Sequence, residues 1–285
     1  MRVLSNTITT LGLAALLATS VLTSGCEFTK KVIAKDKLNQ GVIAYNAGKA
    51  KAAEAYFKDA TELTPANAGA WVYYGATVFK RFQNSFGDER KQLGAQALDI
   101  FKKSLDLPSD CKTRDSALGY ISSVYSELED DENNKIWMLK RAEGDCATKT
   151  TKAITYYSVA VKLWQCSNAQ TNRYVDKASK DPFHYRDMAY SPEALKDKDK
   201  TSKCITEGMG YIEKSLAENP DAPDTYFYKG LFYRELQYMT KEEAKRKEYG
   251  TEAQKYNDQG VALTKKREAE AKAADEAKAA ASPKG

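Results

Sequence analysis

Apolar residues recur at helical spacing along almost the whole chain. Leu38, Val42 and Tyr45 stand at i, i+4 and i+7, the spacing that lines one face of an amphipathic helix. A turn follows at residues 46–49 around Gly48, and Ala53, Phe57 and Ala60 then form the inward face of a second helix that Pro65 closes, since proline cannot continue a helix. Further on, Ala117, Tyr120, Ile121, Val124, Tyr125 and Leu128 share a stripe; residues 130–134 turn; Ile136, Leu139 and Ala142 line the return. Ile154, Tyr157, Val161 and Trp164 make the next face. Val and Ile are sparse beside Ala, Lys, Glu, Leu and Tyr, which favours helix over sheet. The expected class is all-α.

These pairs of helices repeat. With Gly41 as position i, Ala53, Phe57, Ala60 and Pro65 stand at i+12, i+16, i+19 and i+24, and a second glycine, Gly75, stands at i+34. Trp71 follows Pro65 by six. The offsets return around Pro220: Ile212 precedes it by eight, as Phe57 precedes Pro65, and Ser215 by five, as does Ala60. Tyr226 and Gly230 follow it by six and ten, matching Trp71 and Gly75. This pattern resembles the tetratricopeptide (TPR) unit. The resemblance covers residues 35–266 and implies a TPR-like α-solenoid of about five helical hairpins. Gly41, Ala53 and Ala60 would let helices approach closely, with Phe57 and Trp71 filling the gaps. In the second unit Ala97, Phe101 and Ser104 precede Pro108, but the step from Gly75 to Ala97 is i to i+22 where that from Gly41 to Ala53 is i to i+12. Extra positions near 81–91 lengthen that hairpin. In the fifth unit Ala253, Asn257 and Gly260 take the inward offsets, and Ala253 stands at i+23 from Gly230, a matching extension that points to duplication. Residues 167–203 form a polar insertion, in which Ser191-Pro192-Glu193 has the chemistry of a short helix start. Residues 267–285 carry no large apolar side chain and read as a solvated helical end passing into a tail.

TPR proteins bind peptides or partner helices in the groove formed by their first helices. Runs such as Trp71-Val72-Tyr73-Tyr74 and Tyr226-Phe227-Tyr228 cannot face one way, because each residue turns 100°. With Trp71 and Tyr226 between hairpins, the resemblance makes Tyr45, Val72, Phe79, Phe227 and Leu231 the groove candidates. Core filling is the competing role for the same aromatics.

The first residues belong to a different function. Arg2 precedes an apolar run at 11–22, shorter than the ~20 residues of a spanning helix and composed like a secretory h-region. Leu22-Thr23-Ser24-Gly25-Cys26 resembles a bacterial lipobox. That resemblance implies a lipoprotein signal peptide at 1–25, cleavage before Cys26, acylation of its thiol, and a polar tether at 26–34. Several acyl chains hold a protein stably on a membrane. Glu27, rather than Asp, follows the cysteine; by resemblance to enterobacterial sorting this implies the outer membrane, facing the periplasm. No later stretch reaches spanning length. The net charge of +5 is interspersed rather than striped, which argues against a nucleic-acid footprint.

The four remaining cysteines, an even number in an exported chain, allow three pairings. In the repeat arrangement Cys166 and Cys204 lie at one edge, as the ends of two helices, and Cys111 and Cys146 at the other. Pairing across edges would span a helix of some 20 Å, against the ~4.4–6.8 Å between bonded Cα atoms. Cys166–Cys204 is therefore expected, with Cys111–Cys146 second and unpaired buried thiols the alternative. The single histidine, His184, has no nucleophile or carboxylate at readable spacing to work with. Phe183, Tyr185 and Tyr190 around it read as a packing cluster. No phosphate loop, zinc spacing or hydrolase motif is present, so neither catalytic residues, metal nor cofactor is expected. These features together describe a membrane-anchored TPR scaffold that binds other cell-envelope proteins or peptides without chemistry of its own. The alternative is an enzyme or ligand-binding lipoprotein whose site the 167–203 insertion forms over the groove.

Overall fold

Ten helices and the short turns between them account for the described residues, which in this computed structural model are 8–171 and 192–281, with side chains described for 27–171 and 198–278. The chain divides into two units, residues 1–137 and 138–285. Unit 1 holds α1 (Ile8–Asn46), α2 (Ala50–Leu63), α3 (Ala68–Gln83), α4 (Gly87–Leu105) and α5 (Cys111–Glu127). The division falls within α6 (Asp131–Glu143). Unit 2 holds α7 (Lys149–Thr171), α8 (Pro192–Glu218), α9 (Pro223–Met239) and α10 (Glu243–Ala281). Helices α1 and α2 pair as a hairpin, as do α3 and α4, α7 and α8, and α9 and α10, while α5 packs on α3 and α4.

In unit 1 local chemistry sets the helix ends. Asn67 caps α3 by accepting from the Ala70 N–H at 3.2 Å, and Asp110 caps α5 by accepting from the Thr113 N–H at 2.8 Å. These bonds satisfy amides that a helix start leaves unpaired. Gly48 turns α1 into α2 with φ of +73°, a conformation that glycine adopts without a Cβ penalty. The second helices pack as their spacing predicts: Ala53, Phe57, Ala60, Ala97, Phe101 and Ser104 are all buried.

On α5 the expected stripe also turns inward, with Ala117, Ile121 and Val124 buried, but on α1 it does not. The buried face of α1 is Ala34, Gly41 and Ala44, while Leu38 is half-buried and Val42 and Tyr45 are exposed. The Phe57 ring occupies the space that a side chain at Gly41 would need, and the Phe101 ring does the same at Gly75. The second helix thus supplies the volume and the first supplies the gap. The extra positions of the second hairpin form no loop; they lengthen α3 and α4, which only Asn84, Ser85 and Phe86 separate. Arg90 secures this extension, lying 4.3 Å over the Phe82 ring and pairing with Glu127 at the end of α5 at 2.8 Å. On α6, Ala142 is buried and Leu139 half-buried as expected, but Ile136 points outward and Asn134 takes an inward place, donating to the Ser122 carbonyl at 2.6 Å.

Unit 2 follows the same logic with other residues. The buried residues of α7 are Ala153, Thr155, Tyr156, Val159, Ala160, Ser167 and Thr171; of the expected face Ile154 is exposed and Tyr157, Val161 and Trp164 are half-buried. Phe232 of α9 packs against Gly208 of α8, and Phe227 of α9 against Gly260 of α10. Asn257, expected inward, is exposed. At Gly230 the α9 and α10 backbones meet directly: a Cβ there would lie 2.9 Å from the Ala253 carbonyl oxygen. One device recurs in both units. Ser104 donates to the Ala68 carbonyl, and Ser215 to the Ala153 carbonyl, each buried and each at 2.9 Å, tying the return helix to the outgoing one.

Three sequence-based expectations change. Residues 27–34, expected as a tether, are helical and continue into α1. The 167–203 insertion is helical at both ends: α7 runs to Thr171, and Pro192 opens a 27-residue helix rather than a short one. Residues 172–191, with His184, Phe183, Tyr185 and Tyr190, lie outside the described residues. Cys166 and Cys204 consequently sit within α7 and α8 instead of ending them. The last stretch is helical through Ala281, with every side chain from Lys265 to Lys278 exposed. No described helix is long and apolar enough to cross a membrane.

Candidate functional site

Each of α1, α3 and α5 contributes one tyrosine to a neighbouring set in unit 1. Tyr45 is 39% exposed, Tyr73 is 49% exposed, and Tyr120 is half-buried. Phenylalanines underlie Tyr73 and Tyr120. Tyr73 stacks on Phe57 with ring centres 5.2 Å apart, and Tyr120 stacks on Phe101 at 4.8 Å while meeting Phe79 edge-on at 5.7 Å. Burial pushes the Tyr120 phenol above its ordinary pKa, and the nearby Tyr45 and Tyr73 phenols push the same way. Stacked from beneath, the Tyr73 and Tyr120 rings have little freedom left to lose on binding. Tyrosine combines apolar area with a hydrogen-bonding tip at low entropic cost, the make-up of a protein-binding surface.

The groove residues expected from the sequence are placed unevenly. Tyr45 belongs to this surface. Val72 is half-buried against the unit 1 core. Phe79 is a correction: it is 8% exposed and sits beneath Tyr120 as core. Tyr73 and Tyr120 are the members that the groove pattern misses. Tyr73 lies within the 71–74 aromatic run, but its outward direction depends on Phe57 filling the gap at Gly41.

In unit 2, Phe227 and Leu231 line a recess of about 260 Å³ between α9 and α10, with Arg234, Gln254 and Asn257 at its polar side. The recess exists because Asn257 stands opposite Gly230 where the two unit 1 hairpins set a phenylalanine ring, Phe57 or Phe101, against the glycine. Arg234 donates to Gln237 at 3.1 Å. Apolar floor and polar rim in this proportion suit a side chain of a bound segment.

A second polar group lies inside unit 2. Glu235 of α9 is 1% exposed, surrounded by Trp164, Asn168 and Thr171 of α7. Asn168 donates to its Oε1 at 3.2 Å. Its Oε2 and the Trp164 indole N–H are both buried without a hydrogen-bond partner. The indole is close enough to favour the carboxylate yet not aligned to bond it. Burial raises the Glu235 pKa to about 7, and Thr171, Asn168 and Trp164 pull against that rise without cancelling it. The expected polar insertion begins here, so its first residues are interior rather than solvated: Ser167 and Thr171 are fully buried.

Cys166 and Cys204 are bonded, with Cα atoms 6.1 Å apart, joining α7 to α8. Cys111 and Cys146 are also each in a disulfide. Cys26 lies on α1, and its side chain is outside those described. Among the described residues no group of three His, Cys, Asp or Glu side chains is placed to hold a metal ion.

The described architecture is an all-α chain of helical hairpins in two units, built on the glycine-to-phenylalanine packing of a TPR-like repeat. Neither a family model nor a curated protein sequence matches the chain. Among solved structures, MamA is similar at 14% identity and a TM-score of 0.49, over 82% of this chain and 93% of that one. YrrB, described as a TPR protein with an unusual peptide-binding site, is similar at 13% identity and a TM-score of 0.44, over 80% of this chain and 84% of that one. The TPR2AB domain of yeast Sti1, solved as a pHSP90 complex, gives 12% identity and a TM-score of 0.36, over 81% and 99%.

Proposed function

We propose that the chain is a lipid-anchored scaffold of the cell envelope that binds a protein or peptide partner and performs no chemistry itself. The observation that carries this reading is the tyrosine surface of unit 1, where Tyr45 and Tyr73 stay solvent-facing although neighbouring aromatics are buried. Tyr73 is also held by stacking on Phe57, and exposed tyrosines are among the residues that dominate binding energy when a partner covers them. The lipobox at residues 22–26 supports the anchor, and Glu27 supports outer-membrane placement facing the periplasm. A photo-crosslinking amino acid placed at Tyr45 or Tyr73 in cells should capture one discrete partner, and the same group at Lys272 of the exposed α10 end should not. Equal capture of abundant envelope proteins at all three positions would refute the surface. Recovery of the chain in the membrane fraction, lost in a Cys26→Ser variant, tests the anchor separately.

A further inference from the structure

The first described turns of α1 carry large apolar side chains on the wrong side for a core. Phe28 is 70% exposed, Val32 53% and Ile33 43%. The core direction of α1 is fixed by Ala34 and Gly41, both buried, with Gly41 against the Phe57 ring. At 100° per residue, Phe28 lies roughly 120–140° from these two positions and Val32 roughly 160–180°. Ile33 flanks the same sector. Phe28 and Val32 therefore face away from the hairpin, with Ile33 at the edge, where folding gives them nothing to pack against.

Charge surrounds this sector. Lys31 and Lys35 are exposed beside it, while Lys30, also exposed, lies on the opposite side of the helix; Glu27 is the single acid in the stretch, 3.1 Å from Lys31. Over the next turns the outward direction is polar, occupied by Lys35, Asp36 and Asn39, and Ile43, 69% exposed, is the next large apolar residue to face outward. The patch that follows Cys26 is thus set apart from Ile43 by about 15 Å of helix. Phe28 stands about 3 Å along the helix axis from Cys26 and Val32 about 9 Å. A short helix with an outward apolar face and flanking lysines is the form that lies in the headgroup region of a bilayer, where lysine stems reach anionic lipid.

We infer that residues 27–33 of α1 lie on the lipid surface, with Phe28 and Val32 inserted at the headgroup level and Lys31 and Lys35 against anionic headgroups. The inference rests on the reading of Cys26 as the acylated residue, which would hold this face at the membrane. Its consequence is a fixed orientation: α1 continues without a break from the patch into the first hairpin, so unit 1 would stand on the membrane by a rigid helix rather than hang from a loose linker.

The test uses the full chain, expressed and processed in a bacterium and reconstituted into vesicles of phosphatidylethanolamine and phosphatidylglycerol. An environment-sensitive fluorophore is attached at Val32→Cys, or at Asn39→Cys further along the outward direction of the same helix. Both sites are exposed, so neither substitution removes core packing. Mass spectrometry of the N-terminal peptide reports acylation in the same samples. The expected result is an acylated Cys26, with blue-shifted emission at position 32 that nitroxide-labelled lipid quenches, and water-like unquenched emission at position 39. Acylated Cys26 with water-like emission at position 32 overturns the surface contact while leaving the anchor intact. A blue shift at position 32 that lipid-borne nitroxide does not quench, and that dilution reverses, assigns the face to a second copy of the chain and likewise overturns it. An unmodified Cys26 overturns both readings together.

Discussion

Glu235 should make unit 2 less stable as the solution becomes more alkaline. Its carboxyl is almost fully buried and keeps its proton in the folded state up to a pKa of about 7, against 4.5 for the ordinary value. Between those two values the folded chain binds a proton that the unfolded chain has released, so stability falls as pH rises. Nothing is lost below pH 4.5, and the loss is spent once the pH has passed through about 7. At 1.36 kcal/mol per pKa unit the loss between pH 5 and pH 8 is about 2.5 kcal/mol. The Glu235→Gln variant keeps the shape and the Oε1 acceptor for Asn168 but has nothing to titrate. Urea unfolding of both proteins, followed by circular dichroism at pH 5 and pH 8, isolates the effect. Other groups, including Asp110 and Asp130 with their lowered pKa values, contribute to both proteins and cancel in the difference. The gap between wild type and Gln variant should shift in favour of the variant by about 2.5 kcal/mol on going from pH 5 to pH 8. The same pH dependence in both proteins would refute the assignment of a buried, late-titrating carboxyl.

Two further outcomes follow from the packing of unit 2. Gly230→Ala should destabilise by about 1–2 kcal/mol, because the new methyl meets the Ala253 carbonyl and overpacking of about 1–3 kcal/mol exceeds the helix propensity gained. Gly210→Ala, with nothing within 4 Å of its Cβ, should instead stabilise by about 0.5–1 kcal/mol, so urea midpoints moving together would contradict the backbone contact. Replacing Cys166 and Cys204 together by serine opens a loop with a sequence separation of 38, for which chain-entropy arithmetic gives a loss of about 4 kcal/mol. Thermal unfolding of that double variant checks the figure, and an unchanged midpoint would contradict it.

The second helices of the hairpins were legible in the sequence because one phenylalanine between two small residues, closed by proline, admits one packing. Ala53, Phe57 and Ala60 are buried as their spacing requires, and so are Ala97, Phe101 and Ser104. Among the first helices the stripe of α5 reads correctly, whereas α1 and α7 misled because pattern reading sends large apolar residues inward. At close helix contacts the inward positions must be small: Gly41 on α1, and Ala153, Ala160 and Ser167 on α7, while Val42, Tyr45 and Ile154 are displaced to the surface. The same displacement produces the tyrosine surface, so the candidate site was visible in composition and invisible in direction. Glu235 left no usable trace. A lone carboxyl on an aromatic helix reads as solvated, and only the helical spacing of Ser167 and Thr171 hinted that a polar interior faced it.

The bond between Cys166 and Cys204 closes the backbone between them into a covalent ring. A peptide bond cut anywhere inside that ring would not divide the molecule. Everything from Cys204 onward, including the second half of α8 and all of α9 and α10, would stay attached to α7 until a reductant arrived. A nicked molecule would therefore keep unit 2 in one covalent piece.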